Sequence, residues 1–323
     1  MPIGCVYTHI DAFHHTRFEF LLSTLYFCNP MQKAYFPLLM VVLACTACEK
    51  EITVDLQSKE DRLVVEGIIE DGRFPMVTIS RSLNYFSKIT PAQLLESFVH
   101  DAVVTVSNGV RTHQLREYRT DTTNGIALYF YSADTAQFHT AFTGQPGNSY
   151  TLKIEVEGKT LHAVTTIPEP KLRLDSMWWM DSGNSSTEKA RVLVKVTDPP
   201  ERGNYVRYFT SRNGDRFLPG LNSVFDDHIV NGTTFDVPLD AGVDKNQKID
   251  FDTYGYFKKG DTVTLKFCNV DHNTYDFWRT ADFAFTATGN PFATPTRTQG
   301  NVQGALGYWG GYSVTYKTIT IPK

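Results

Sequence analysis

Short runs of alternating apolar and polar residues, each cut off by a turn signal, recur through most of this 323-residue chain. A period of two puts successive side chains on opposite faces of an extended strand, so each run can bury one face and wet the other. RLVVEGIIE at 62–70 is followed by the turn Glu70-Asp71-Gly72 and then by MVTISRS. AVVTVS and VRTHQLRE flank Asn108-Gly109, and SYTLKIEV and KTLHAVTT flank Glu157-Gly158; both pairs read as hairpins. With GIALYFYS, residues 62–168 hold about seven short strands, the pattern of a β-sandwich. Tyr150, just after Pro146-Gly147, stands where such sandwiches place a corner tyrosine. Thr90-Pro91-Ala92-Gln93 predicts a short helix through LLESF: Thr can cap, Pro suits the first helical position, and Gln completes a capping box.

Ile167-Pro168-Glu169-Pro170 marks a boundary, because two prolines disfavour strand pairing and stiffen a linker. Beyond it, LRLDSMWW, RVLVKVT, NYVRYFTSR, TTFDVPL, KIDFDTY, TVTLKFCNV and SVTYKTITI are strand candidates, and Ile229 to Thr233 reads as a strand ending in a turn. One segment changes period. Tyr275, Trp278, Ala281 and Phe285 recur at helical spacing, Asp271 or Asn273 can cap, and Gly289-Asn290-Pro291 stops the run. The expected architecture is mainly β: an N-terminal immunoglobulin-like β-sandwich at 62–168, plus a C-terminal β-rich domain at 169–323 carrying one α-helix at about 272–288. The NPFATPT stretch after the helix is a loop.

The N-terminal region addresses the chain to a membrane. From Met31, Lys33 precedes an apolar stretch, Tyr35 to Ala44, that suits a secretory signal and is too short to span a bilayer. Small residues then lead into cysteine, resembling the lipobox of bacterial lipoproteins. Residues 31–48 therefore read as a lipoprotein signal, with Cys48 as the lipidated residue and Cys45, after Val-Leu-Ala, as the alternative. Residues 49–61 are charged and form a tether. Residues 1–30 carry no coherent signal, and translation from Met31 is expected. Three acyl chains, at about 0.8 kcal/mol per buried methylene, would hold the protein stably. After cleavage at Cys48 only Cys268 remains, in the strand pattern TVTLKFCNV, as a buried structural thiol.

The chemistry-bearing motifs are sparse. A formal net charge of −4, with no Lys/Arg run longer than a pair, gives no reason to seek nucleic acid. The chain after Cys48 has no HExxH, CxxC, GxSxG, phosphate loop or Rossmann glycine run, and no two histidines at helical metal spacing. No cofactor and no metal is expected. Residues 244–250 (DKNQKID) superficially resemble a calcium loop, but Lys248 and Ile249 occupy positions such a loop reserves for an oxygen ligand and a glycine. Asp226-Asp227-His228 is the densest titratable cluster, and paired carboxylates beside His can exchange protons. Trp178, Trp179, Tyr308, Trp309 and Tyr312 are candidates for sugar stacking against a core reading; Trp309 and Tyr312 are the pair to test.

Several ordered segments together resemble the domain-of-unknown-function 4249 family, predicted lipoproteins of Bacteroidota. They are CEKEI at 48–52, LVVEGIIEDG at 63–72, TISRSLNYF at 78–86, GQPGNSYTL at 144–152, DPP at 198–200, FDDHIVNGTTF at 225–235, TYDFWRT at 274–280, NPFATPT at 290–296 and GALGYWGGY at 304–312. The family form CEKEI favours Cys48 as the anchor. The resemblance implies no established activity. It implies an outer-membrane lipoprotein, with a TonB-dependent receptor or other outer-membrane protein as its expected partner. Three roles follow: a non-catalytic accessory gripping a partner through strand edges and the glycine-aromatic GALGYWGGY loop; a glycan binder presenting Trp309 and Tyr312; and a hydrolase built on Asp226, Asp227 and His228.

Overall fold

The computed structural model describes residues 62–83, 90–122, 125–183, 188–287 and 296–323. Residues 1–30, the signal 31–48 with Cys45 and Cys48, the tether 49–61, Gly289 and the NPFATP part of the last loop lie outside the described residues. The described residues belong to one compact unit.

The first half is built from hairpins. β1 (Leu63–Glu70) and β2 (Met76–Arg81) pair antiparallel, with Val65 opposite Ile79 and Gly67 opposite Val77. The short helix α1 (Pro91–Ser97) starts on the expected capping box: Gln93 N donates to Thr90 Oγ1 at 3.2 Å, and Thr90 N donates to Gln93 Oε1 at 2.9 Å. β3 (Val103–Ser107) and β4 (Thr112–Asp121) turn on Asn108-Gly109, with Asn108 Oδ1 accepting from Arg111 N at 2.8 Å. β5 (Ala127–Ala133) follows, then β6 (Ser149–Val156) and β7 (Lys159–Thr166). Glu157 and Gly158 between the last two both have positive φ, as a two-residue type I′ turn demands. Tyr150 is a corner tyrosine: its buried hydroxyl accepts from Gln145 N at 2.7 Å.

The second half adds β8 (Arg173–Asp181), β9 (Lys189–Thr197), β10 (Tyr205–Arg212), β11 (Leu218–Asp226), β12 (Thr234–Leu239), β13 (Phe257–Lys258), β14 (Thr262–Val270), the helix α2 (His272–Ala287) and β15 (Leu306–Thr320). Eleven strands form one sheet in the order β11-β10-β14-β15-β1-β2-β5-β4-β3-β6-β7. β15 joins the halves, pairing parallel to β1 and antiparallel to β14. The proline segment 167–170 thus separates neither two sheets nor two closed cores, since Val302 and Trp309 from beyond it enter the core of the first half. A smaller sheet centres on β9, which pairs with β8, β12 and β13.

Alternation along the strands decides which core each face enters. Val65, Ile79, Val104, Ile154 and Leu161 share one apolar cluster, although β1 and β7 stand far apart in hydrogen-bonding order. The large sheet therefore folds over on itself in a sandwich-like way. In the second half, Val263, Leu265 and Phe267 of β14 pack against Val192, Val194 and Val196 of β9. The opposite face of β14, with Cys268 and Val270, and Tyr312 of the neighbouring β15 are covered by Tyr275, Phe277 and Trp278 of α2. Each fully buried aliphatic side chain contributes about 1.5–3 kcal/mol.

Three segments depart from the sequence reading. β11 contains Pro219 and Gly220 and reads as a breaker; it persists because it is the sheet's edge strand, paired only with β10. The 229–233 segment is turn rather than strand, with Ile229 pointing into solvent. KIDFDTY forms no strand, because the Asp250 side chain takes Asp252 N at 3.0 Å and Thr253 Oγ1 at 2.9 Å, closing a local turn that competes with a ladder.

Candidate functional site

Trp309 and Tyr312 do not form the expected platform. GALGYWGGY is not a loop: most of it lies in β15, at the junction of the two halves. Trp309 is fully buried, lies over Gly67 of β1, and donates its indole N–H to Tyr150 O at 2.9 Å. Tyr312, three residues on, belongs to the opposite face and packs under α2. Two buried rings on opposite faces of a strand offer no sugar-stacking surface.

Asp226, Asp227 and His228 do not converge either. Asp226 accepts from the Tyr275 hydroxyl at 2.7 Å; burial first, and then this contact, push the Tyr275 phenol well above its ordinary range. Asp227 is buried, and its Oδ2 takes Gly203 N, Asn204 N and Asn204 Nδ2 at 2.8, 3.0 and 3.0 Å. His228 faces solvent. The triplet pins a helix and a loop to the end of β11 and supplies no common proton-transfer site.

A polar cluster lies beneath α2 where the sequence marks only a core. The Arg207 guanidinium, buried on β10, donates to Ser223 Oγ at 3.3 Å and Tyr312 Oη at 3.2 Å. It stacks 3.3 Å from the Trp278 ring centroid. Asp282 of α2 accepts from Ser223 N at 2.9 Å and Ser223 Oγ at 2.8 Å, and pairs with Lys245 at 2.5 Å. Lys266 pairs with Glu70 across the sheet. Burial pushes the Cys268 thiol up to about 12. These contacts lock α2 to β10, β11 and β15, and Ser223, Asp282 and Tyr312 serve as its internal partners.

The open chemistry lies elsewhere, under the 17 residues 240–256 that join β12 to β13 without regular structure. Connections this long inside a domain are uncommon, and are usually either functional or linker-like. The loop is held in shape: the Tyr254 hydroxyl donates to Asp240 Oδ2 at 3.0 Å and accepts from Leu221 N at 3.1 Å. Gly242 N donates to Thr210 Oγ1 at 2.6 Å, and Lys189 Nζ donates to Asp252 O at 3.0 Å. Between loop and sheet opens a cavity of about 450 Å³, inside the size range of small-molecule sites.

Four cations line this cavity, Lys189, Arg212, Lys248 and Lys258, against two carboxylates, Asp244 and Asp250. Both carboxylates are already engaged. Backbone donation from Asn246, with the Arg216 charge beside it, holds Asp244 below the usual carboxylate range. The Thr253 hydroxyl and Asp252 N do the same for Asp250. Among the described residues, no carboxylate lies within 4.0 Å of Lys248 or Lys258. Val243, Ile249, Tyr256 and Phe257 supply an apolar part of the wall. Lys189 and Arg191 lie over the Tyr256 ring at 5.4 and 5.1 Å. A second recess of similar volume, between β11 and α2, presents Asp282, which Lys245 and Ser223 already satisfy.

Sequence reading missed the cavity. It sets 244–250 aside as a failed calcium loop and takes 248–254 as a strand, and the one available signal was the length of chain between TTFDVPL and the next convincing strand. Among the described residues, no group of three or more His, Cys, Asp or Glu side chains is placed to hold a metal, and no helix is long and apolar enough to cross a membrane. Residues 49–318 match the family model described as Domain of unknown function (DUF4249). No curated protein matches the chain.

Proposed function

From the premise that this chain belongs to the DUF4249 family, we propose that it is a lipid-anchored, non-catalytic binding protein of the outer membrane, accessory to a TonB-dependent uptake or other envelope complex. Its ligand site is the cavity under the 240–256 connection. The observation that carries the binding reading is the pairing of a preordered loop with two lysines that, among the described residues, form no ion pair within 4.0 Å, over a partly apolar wall. Such a site favours a small organic anion: the lysines take its acidic group, and the apolar wall takes its ring or carbon frame. The anchor rests on residues 31–48, where an apolar stretch runs through small residues into Cys48.

Calorimetry on the full chain in detergent tests the ligand site. D-galacturonate and benzoate, two acids on six-membered rings, are the probes, with D-galactose as the uncharged comparison. At least one acid binds saturably, its affinity falls as salt rises, and galactose binds at least about tenfold more weakly. Replacing Lys248→Ala and Lys258→Ala together weakens the acid by about tenfold or more while leaving the fold intact, since both side chains reach solvent. Equal binding of galactose, no binding of either acid, or unchanged affinity in the double variant would contradict the assignment.

A further inference from the structure

Two loops meet at one end of the β9–β12 pair, and none of their residues lines the cavity. Residues 198–204 join β9 to β10, and residues 227–233 join β11 to β12. Cross-bonds lace them together. Asp198 N donates to Thr233 O at 2.9 Å, and Gly232 N donates to Asp198 Oδ2 at 2.9 Å. Asn231 Nδ2 donates to Pro200 O at 3.0 Å, and Asp227 N donates to Asn204 O at 3.2 Å.

The donors available to the two carboxylates are spent on one oxygen of each. Asp227 Oδ2 alone takes three N–H groups, and Asp198 Oδ2 takes Gly232 N. Asp198 is 3% exposed and Asp227 5% exposed, and among the described residues neither has a cation within 4.0 Å. Two acceptors remain buried without a partner: Asp198 Oδ1 and the amide oxygen Asn231 Oδ1. A buried, unpaired carboxylate is among the costliest groups a fold can hold. The Asn204 side-chain amide, which donates to Asp227 Oδ2 at 3.0 Å, also lies beside Asp198, so the two carboxylates flank one donor.

We propose that this loop pair binds a calcium ion, with Asp198 and Asn231 as its side-chain ligands and Asp227 as the neighbouring charge that favours a dication. Calcium takes oxygen ligands of mixed type, carboxylate, side-chain amide and backbone carbonyl, in an irregular shell that loops can supply, whereas magnesium demands near-octahedral geometry and keeps its water. The sequence signal is Asp198-Pro199-Pro200 and Asp227 through Gly232. It follows no helix–loop–helix spacing, because its ligands come from two connections brought together by the β9–β12 ladder. The calcium-like run 244–250 is a different loop, and its Asp244 is already satisfied by Arg216 and backbone donors.

The test uses the full chain, stripped with EDTA and kept in detergent. Calcium at a hundredfold excess over its Kd raises the thermal midpoint by about 5–10 °C, magnesium at the same concentration by less than half of that, and terbium gives tyrosine-sensitised emission. Asp198→Asn abolishes the calcium shift and the emission, and in EDTA it is at least as stable as the parent, because a buried charge has been removed. Asn231→Ala weakens calcium by about tenfold, and Asp244→Asn leaves it unchanged. The assignment is overturned if the parent shows neither shift nor emission, if Asp198→Asn keeps both, or if Asp198→Asn is destabilised in EDTA and calcium makes no difference.

Discussion

Gly67 and Trp309 depend on each other. A Cβ at residue 67 would stand 2.6 Å from the Trp309 ring, so the indole fits between the sheet faces only because its neighbour has no side chain. Gly67→Ala should cost about 1–3 kcal/mol or more by overpacking, read from urea denaturation; a change below 0.5 kcal/mol would mean the indole can move aside. Gly307 is constrained twice, by φ of +101° and by the Val65 carbonyl, 1.9 Å from where a Cβ would go. Cys268 is the clearest chemical reporter. With its thiol pushed up to about 12 by burial, it should stay inert to a thiol reagent at pH 8 in the folded protein and react fully in denaturant. Fast reaction of the native protein would disprove its burial.

At the scale of elements, legibility followed burial. Strands with one wet and one dry face, such as β6 and β7, announce themselves by alternation, and α1 and the Glu157-Gly158 hairpin by local chemistry that no distant contact needs to complete. β11 was invisible because Pro219 and Gly220 forbid only a central position, and edge status is a property of the whole sheet. The cavity was invisible for the same reason: Lys189, Arg212 and Lys248 are far apart in sequence and meet only once β9, β10 and the 240–256 loop are in place. Asp271 shows a local signal with a long-range use. It caps α2 through Thr274 N at 2.9 Å and also takes Thr165 Oγ1 and Thr166 N from the end of β7. Asp271→Ala should therefore cost about 2 kcal/mol, the top of the range for a cap alone. A loss of only a few tenths in chemical denaturation would show that the β7 contact adds nothing.

For the whole molecule, the parallel pairing of β15 with β1 puts both halves in one sheet, which predicts one cooperative transition, and alkali tests it at several points. Burial holds the Tyr131 and Tyr254 phenols at about 12 and the Cys268 thiol also at about 12. These folded values lie above the unfolded ones, about 10 for tyrosine and 8.5 for cysteine. Such groups contribute their full stability below the unfolded pKa and lose it as pH rises towards the folded one. Stability should be level to about pH 8.5 and fall steadily from there to pH 12, in one transition seen alike by circular dichroism and tyrosine absorbance. Two separate transitions would divide the molecule at residues 167–170. The assignment to the envelope depends on the other end of the chain. Mass spectrometry of the N-terminal peptide of protein recovered from native membranes measures it directly. The expected result is a chain beginning at Cys48 and carrying glyceride-linked and amide-linked acyl groups; an unmodified Cys48 within a longer chain, recovered from the aqueous fraction, would contradict it.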